Sequence, residues 1–261
     1  SDIVFPTGAS GAGASMAYNN NVSPTSSAFN DLRNVVFNPT GTIALVMTSA
    51  NIQRWNLSTA FDLSTMTEAA GDNFSAQLSS GQYGLAVNSD GTKLFVGQHT
   101  DGDRIKQFTL STPWSPSTQS YNGYYYLNFG GSWNSTSGGG SVPSTNNFNP
   151  WSFQFNSDGT KMITIMFDNV PYHSIAEFTL STPWDMSTMS YTSYANFDGN
   201  VDPEAIVISS DGLKVMMHGY DLGNAGTEVY SLPSAFSVGS AGNNLTKTSG
   251  AIDLASLTGN N

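Results

Sequence analysis

The chain has 261 residues, of which 38% are hydrophobic and 12% aromatic, so it can build an apolar core and is unlike disordered chains, which are poor in aromatic residues. Its formal net charge of −11 opposes binding to phosphate backbones, and we expect no nucleic-acid partner. The chain contains no cysteine, which excludes disulfides and thiol catalysis, and no apolar run approaches the ~18 residues of a membrane helix, so we expect no membrane insertion.

The first 30 residues differ in composition from the rest of the chain. They are rich in Gly, Ala, Ser and Asn, with the run GASGAGAS at 8–15. Such a composition is typical of a flexible segment. Residues 1–30 are therefore predicted to be an N-terminal arm that is draped on the domain, closes a ring of repeats or anchors the chain to a partner. Residues 31–261 are predicted to form the folded domain.

A hairpin pattern then occurs four times. Each copy has an apolar strand, a tight turn with a glycine and a second strand rich in Val, Ile, Leu, Phe and Met. Three of the turns contain Asp-Gly, which supplies the positive φ of a hairpin turn. The near-continuous apolar runs are expected of strands that are buried on both faces. The four copies are residues 35–47, 85–97, 153–165 and 206–218, with turn glycines Gly41, Gly91, Gly159 and Gly212.

A second element follows each hairpin. It begins as an alternating strand and ends in a turn that carries an aromatic residue; a polar fourth strand comes next. Trp114 and Trp184 are predicted to plug the corners of their repeats, and the alternative is that they form a ligand platform. The aromatic residues are Phe61, Trp114, Trp184 and Phe236. Four-stranded units of about 40–50 residues are typical of propeller blades. We predict an all-β fold, a small β-propeller of four four-stranded blades; the alternatives are a fifth blade built from residues 1–30 and 243–261, or a β-solenoid or sandwich.

The two central copies carry the fullest form of the repeat, SDGTK followed by FTLSTPW. The matching segments are Asn88–Lys93 with Ile105–Trp114, and Asn156–Lys161 with Ile175–Asp185. This pattern resembles the β-propeller repeats of marine-phage and bacterial proteins, which are loosely related to the YVTN and NHL types, over residues 33–240. The first copy departs from it, with Pro39-Thr40-Gly41 for Ser-Asp-Gly, and the last lacks Trp. The resemblance implies the fold and a phage-like setting, but propellers host unrelated activities.

Aromatic residues near a loop are the predicted binding residues. The spacing of the turn glycines is 50, 68 and 53 residues, and an insertion at 130–149 accounts for the long interval. Trp133 lies in that insertion, and Tyr124, Tyr125 and Tyr126 precede it. Because Trp and Tyr are favoured in protein contacts, these four residues are predicted to bind a protein or a sugar; the alternative for Trp133 is that it packs back onto the blade.

Acidic residues form the second group of candidates. In a propeller, the loops between strands 2 and 3 and those between blades open on one face, where most of the acids are predicted to lie. Asp198, Asp202 and Glu204 are weak candidate ligands for Ca²⁺, which prefers oxygen ligands. The sequence has no Asp-x-Asp-x-Asp-Gly calcium loop, so we predict no cofactor and favour a solvated acidic rim. The acids assigned to this face are Asp72, Asp101, Asp103, Asp168, Asp198, Asp202, Glu204 and Asp221.

No catalytic motif is recognisable in the chain. It has no Gly-x-Ser-x-Gly elbow and no phosphate-binding loop. We therefore predict a non-enzymatic structural or interaction module, displayed on a virion (as a capsid-decoration, fibre or receptor-binding component) or on an extracellular surface, with a protein assembly and also glycans as partners. The alternatives are a carbohydrate-binding propeller and a metal-dependent, lactonase-like hydrolase.

Overall fold

The computed structural model describes residues 31–78, 81–99, 104–127, 147–167, 174–197, 201–221 and 224–252. These ranges form four sheets, and the sheets are the blades of a ring. The predicted fold is therefore confirmed as a four-bladed β-propeller. Within these ranges, helix is limited to three short 3₁₀ turns, Leu63–Thr65, Pro116–Thr118 and Met186–Thr188. None of the helical segments in these ranges has the length and apolar character needed to cross a membrane.

The four main strands of each blade form an antiparallel sheet and pair in chain order. Blade 1 contains β1 (Leu32–Phe37), β2 (Ile43–Thr48), β3 (Ile52–Leu57) and β4 (Met66–Phe74). Blade 2 contains β5 (Gln82–Val87), β6 (Lys93–Gln98), β7 (Arg104–Leu110) and β8 (Gln119–Tyr126). Blade 3 contains β9 (Asn147–Phe155), β10 (Lys161–Phe167), β11 (Ser174–Leu180) and β12 (Met189–Asn196). Blade 4 contains β13 (Val201–Ile208), β14 (Lys214–Asp221), β15 (Asn224–Ser231) and, after the short strand β16 (Asn243–Asn244), β17 (Thr246–Ile252).

The segment assigned to a fifth blade belongs to the existing ones. Strand β16 pairs in parallel with β12 of blade 3, and β17 is the outer strand of blade 4. The five-blade alternative is therefore wrong for residues 243–252, because their backbone groups already pair with blades 3 and 4. The predicted arm at 1–30 lies outside the described residues, and so does most of the insertion predicted at 130–149, although β9 already begins at Asn147.

The tight turn and the aromatic corner of each blade pack on one another. In blade 2, the Trp114 N–H donates to the Gly91 carbonyl at 2.9 Å. A Cβ on Gly91, which has a φ of 75°, would lie 2.0 Å from Cδ1 of the indole, so only glycine fits. The prediction that Trp114 and Trp184 plug the corners of their blades is thus confirmed. The other blades repeat the arrangement with the pairs Gly41–Phe61, Gly159–Trp184 and Gly212–Phe236.

The apolar cores lie between neighbouring blades. Side chains alternate along a strand, so the second strand of a blade serves two cores at once. Leu94 packs in the core between blades 1 and 2, whereas Phe95 packs in the core between blades 2 and 3. In the same way, Met162 faces blade 2 and Ile163 faces blade 4. This is why the second strands are apolar at nearly every position.

Polar side chains also join each blade to the next, in contacts that we call blade clasps. In the clasp from blade 2 to blade 3, Lys93 Nζ and Gln107 Nε2 donate to the Trp184 carbonyl at 3.1 and 3.3 Å. The Met186 N–H donates to Gln107 Oε1 at 2.9 Å. Side chains of the second and third strands of one blade therefore form hydrogen bonds with the corner of the following blade.

The clasp from blade 3 to blade 4 uses equivalent positions. Lys161 Nζ donates to the Phe236 carbonyl at 3.2 Å, and the Val238 N–H donates to Glu177 Oε2 at 3.0 Å. Glu177 is buried and forms an ion pair with Lys161 at 3.2 Å. A buried carboxylate needs such partners, because an uncompensated buried charge is strongly destabilising.

The clasp from blade 1 to blade 2 contains Asp72, for which the prediction of a place in the acidic face is wrong. Asp72 lies in β4, in a wide bulge, and not in a loop of an acidic face. Its carboxylate accepts hydrogen bonds from Ser115 Oγ at 2.8 Å, from the Ser117 N–H at 3.0 Å and from Ser117 Oγ at 2.8 Å. Arg54 Nη1 lies 3.5 Å from the same carboxylate. An acid predicted to face solvent therefore joins two blades.

The reason lies in the corner sequence of blade 2. Blades 1 and 3 have Asp62 and Asp185 at the start of the 3₁₀ turn, and each caps its own turn by accepting from a backbone N–H. Blade 2 has Ser115 at that position, which makes no side-chain capping bond within the turn. Asp72 of blade 1 supplies the missing cap, since the β4 bulge carries it across the boundary.

Candidate functional site

The predicted tyrosines lie on β8, the outer strand of blade 2. Tyr124 is 46% exposed, and its ring centroid lies 5.1 Å from that of Tyr126. Tyr125 points to the other side of the strand, where it packs against the core between blades 2 and 3, and this burial raises the pKa of its phenol. Because side chains alternate along the strand, Tyr124 and Tyr126 lie on the surface, whereas Tyr125 packs against the core.

A fourth tyrosine joins the exposed pair. Tyr121 is 37% exposed and pairs with Phe108, while Gly123 pairs with Gln107, so Asn122 is an extra residue in β8. This bulge places Tyr121 on the same side as Tyr124, although residues three apart in a regular strand face opposite ways. Sequence reasoning missed Tyr121 because the bulge depends on the pairing register.

Arg104 completes the group. Its guanidinium carbon lies 4.9 Å above the centroid of the Tyr124 ring, a cation–π contact, and its Nε donates to Gln98 Oε1 at 3.1 Å. Partial burial raises the pKa of the Tyr121 phenol, while the hydrogen bond to Tyr126 raises that of Tyr124, so both rings are neutral hydrogen-bonding groups near pH 7. We call Tyr121, Tyr124 and Tyr126 of β8, together with Arg104 of the neighbouring β7, the β8 aromatic strip.

The other predicted site residues are not brought together by the described structure. Trp133 and Asp198 lie outside the described residues. Asp202 lies in β13, opposite Tyr220, and Glu204 is exposed at a bulge of the same strand. Within the described ranges, no group of three or more His, Asp or Glu side chains could hold a metal ion. The calcium site at Asp198, Asp202 and Glu204 stays a prediction.

Solved structures share this fold at low sequence identity. The periplasmic gluconolactonase PpgL of Pseudomonas aeruginosa superposes with a TM-score of 0.51 at 12% identity, over 85% of this chain and 54% of that protein. A putative 6-phosphogluconolactonase of Bacteroides fragilis gives a TM-score of 0.49 at 14% identity, over 85% and 55%. The β-propeller domain of Cps50 (Swd1) from Myceliophteria thermophila gives 0.45 at 11% identity, over 77% and 54%.

These likenesses show the fold alone. No protein-family model matches the chain, and no curated protein matches it in sequence. The chain spans about half the length of the structures that it resembles. A likeness of this kind does not assign an activity, because one fold can host unrelated activities. The resemblance of the repeat to those of phage proteins stays a prediction.

Proposed function

We propose that this protein is a non-enzymatic interaction module that binds a protein partner through the β8 aromatic strip. The observation that carries the proposal is the exposure of Tyr121 and Tyr124 on a paired strand, with Arg104 stacked on one of the rings. For its setting we propose a virion or an extracellular surface, and the support is the resemblance of the repeat to those of phage proteins.

The chemistry of the strip suits a protein contact. Tyr and Arg are enriched among the residues that dominate binding energy, because they combine a large contact area with hydrogen-bonding groups. The rings of Tyr124 and Tyr126 contact each other at the edge of a folded sheet, so less side-chain freedom is lost when a partner covers them. Arg104 stacks on the Tyr124 ring, which further restricts the motion of that ring before a partner binds.

The test uses two variants of the strip, Tyr124→Ser and Tyr126→Ser, with Ser120→Ala on the same strand as the matched control. Partners captured by the intact chain are identified by mass spectrometry, purified and titrated against each variant. Losing a central tyrosine at an interface costs about 2 kcal/mol, or roughly 30-fold in affinity. If the tyrosine variants bind with the same affinity as the control, the strip is not part of the interface.

The two alternatives are separated by parallel assays on the same preparations. Retention on a glycan array that is lost in the Tyr124→Ser variant would make the chain a carbohydrate-binding propeller. Calcium-dependent hydrolysis of a sugar lactone, reduced by Glu204→Gln, would make it a lactonase-like enzyme. A rise in melting temperature when Ca²⁺ is added after EDTA would show a metal site in the native state.

A further inference from the structure

The outer edge of blade 3 carries an added strand. The short strand β16 runs parallel to β12, and the residues that flank it supply hydrogen bonds to the edge. The Gly242 N–H donates to the Tyr194 carbonyl at 3.1 Å, and the Leu245 N–H donates to the Asn196 carbonyl at 2.9 Å. These two carbonyls of β12 therefore face away from β11, and an extended segment of blade 4 satisfies them.

Strand β8 of blade 2 is built like β12 of blade 3. Tyr126 and Asn196 each end the pairing with the third strand of their blade, and both strands have their bulge at the same distance from that end. Two residues earlier, Tyr124 takes the place of Tyr194. Because the register is the same, the carbonyls of Tyr124 and Tyr126 face outwards as their equivalents in β12 do.

The two edges differ in what covers them. The corner of blade 4 contributes residues 237–245 before β17 begins, whereas the corner of blade 3 contributes only 185–188 before β12. The longer segment reaches β12, while among the described residues β8 stays the last strand of its sheet. Burial differs accordingly, since Tyr124 is exposed and its equivalent Tyr194 is half-buried. Blade 2 therefore has the edge of blade 3 without a described strand on it.

We infer that the β8 edge receives an extended segment of the protein partner, which adds a strand to blade 2 as β16 does to blade 3. The segment runs parallel to β8 and donates backbone N–H groups to the carbonyls of Tyr124 and Tyr126. The inference rests on the proposed function and deepens it, because backbone pairing then accompanies the side-chain contacts of the β8 aromatic strip.

The side chains of the edge define the chemistry of this segment. In blade 3, a Cβ on Gly242, which has a φ of 78°, would lie 3.3 Å from the Tyr194 hydroxyl oxygen. We therefore expect glycine in the partner segment opposite Tyr124. The rings of Tyr124 and Tyr126 contact each other on one side of β8, a surface that suits apolar side chains next to that glycine.

The test uses a fluorescent synthetic peptide with the sequence of residues 239–247, because this segment already fits the equivalent edge. The peptide should bind the full chain in an anisotropy titration and slow hydrogen exchange in β8 but not in β12. N-methylation of the peptide at Leu245 removes a donor to the edge and should weaken binding about tenfold. N-methylation at Asn244 is the matched control and should have little effect, since successive N–H groups of a strand point to opposite sides.

A pair of protein variants tests the same contact from the other side. Tyr126→Ser removes the ring, whereas Tyr126→Pro removes the ring and also the outward backbone N–H. Proline is accepted in an edge strand where that N–H faces solvent, and melting curves of both variants check the fold. The proline variant should bind the peptide about tenfold more weakly than the serine variant.

The outcomes distinguish this inference from the proposed function. Absence of peptide binding, protection of β12 in place of β8, or equal binding of the two N-methylated peptides overturns the inference. If the partner still binds the unmodified chain more tightly than Tyr124→Ser, the proposed function stands without it. Peptide binding with the expected N-methyl pattern supports the edge, even if the tyrosine variants bind the partner unchanged and the aromatic strip fails. Dimers of the unmodified chain that Tyr126→Pro dissociates would make a second copy the occupant and overturn the inference.

Discussion

Replacing Asp72 by Asn should weaken the joint between blades 1 and 2. The carboxylate of Asp72 accepts three hydrogen bonds from Ser115 and Ser117 and lies beside Arg54. Hydrogen bonds to a charged group contribute about 1.5–3 kcal/mol each but are not additive, and the amide keeps one acceptor, so we expect a loss of about 2 kcal/mol. For a domain of this size, that corresponds to a melting temperature lower by about 4–8 °C.

The matched control is Asp62→Asn, which changes a cap formed within blade 1. Asn caps a helical turn about as well as Asp, so this control should cost well under 1 kcal/mol. Ser115→Asp in the Asp72→Asn background should recover stability, since it restores the local cap that blades 1 and 3 use. The assay is denaturant unfolding of these three variants and the unmodified chain. If Asp72→Asn costs no more than Asp62→Asn, or if Ser115→Asp gives no recovery, the argument for a cap across blades is wrong.

Three further predictions concern the turns and the clasps. Gly91→Ala should destabilise the fold by well over 2 kcal/mol, since a Cβ would overlap the corner tryptophan, whereas Gly71→Ala, with a similar positive φ but open space, should cost only the backbone strain of about 1 kcal/mol. Glu177→Gln should be tolerated within about 1 kcal/mol, because blade 2 has glutamine at this place, but Glu177→Leu should cost about 3 kcal/mol by leaving buried groups unpaired. Hydrogen bonds from threonine lower the pKa of Asp90 and Asp158, so their stabilising contribution is complete above the ordinary value of 3.8 and is lost as the pH falls below it.

Each of these has a direct measurement. Thermal and urea unfolding of the glycine pair and of the two Glu177 variants gives the free energies; equal losses within either pair would contradict the packing described. For the aspartates, melting temperature is followed from neutral to acidic pH. Below the ordinary aspartate pKa, the melting temperature should fall less steeply in an Asp90→Asn, Asp158→Asn double variant than in the unmodified chain. If the two profiles are the same, these turns do not cause the fall.

Local chemistry explains what could be predicted from the sequence. The Asp-Gly turns, the aromatic corners and the apolar second strands are each set by residues close together in the chain, so their four-fold recurrence predicts the blade and the ring. The exposed position of Tyr124 follows from the same pattern. The role of Tyr125 could also have been anticipated, because consecutive residues in a strand face opposite sides.

Other features depend on pairing register and on which blades adjoin. The bulge at Asn122, which turns Tyr121 outwards, has no strong local signal. The cap by Asp72 requires both a bulge in β4 and the knowledge that blade 2 lies beside it. The lysines of the clasps are a signal that could have been used, since Lys93, Lys161 and Lys214 recur at the same position of the repeat.

The three clasps are chemically different, although the blades are built on one pattern. One uses an aspartate and two serines, one a lysine and a glutamine, and one a lysine and a glutamate. Proteins made of similar repeats are prone to misassembly, in which a unit pairs with the wrong neighbour. Here a blade placed after the wrong predecessor would meet an unmatched set of donors and acceptors. The blades are thus not interchangeable modules, and an internal duplication or exchange of blades would need compensating changes at each new boundary.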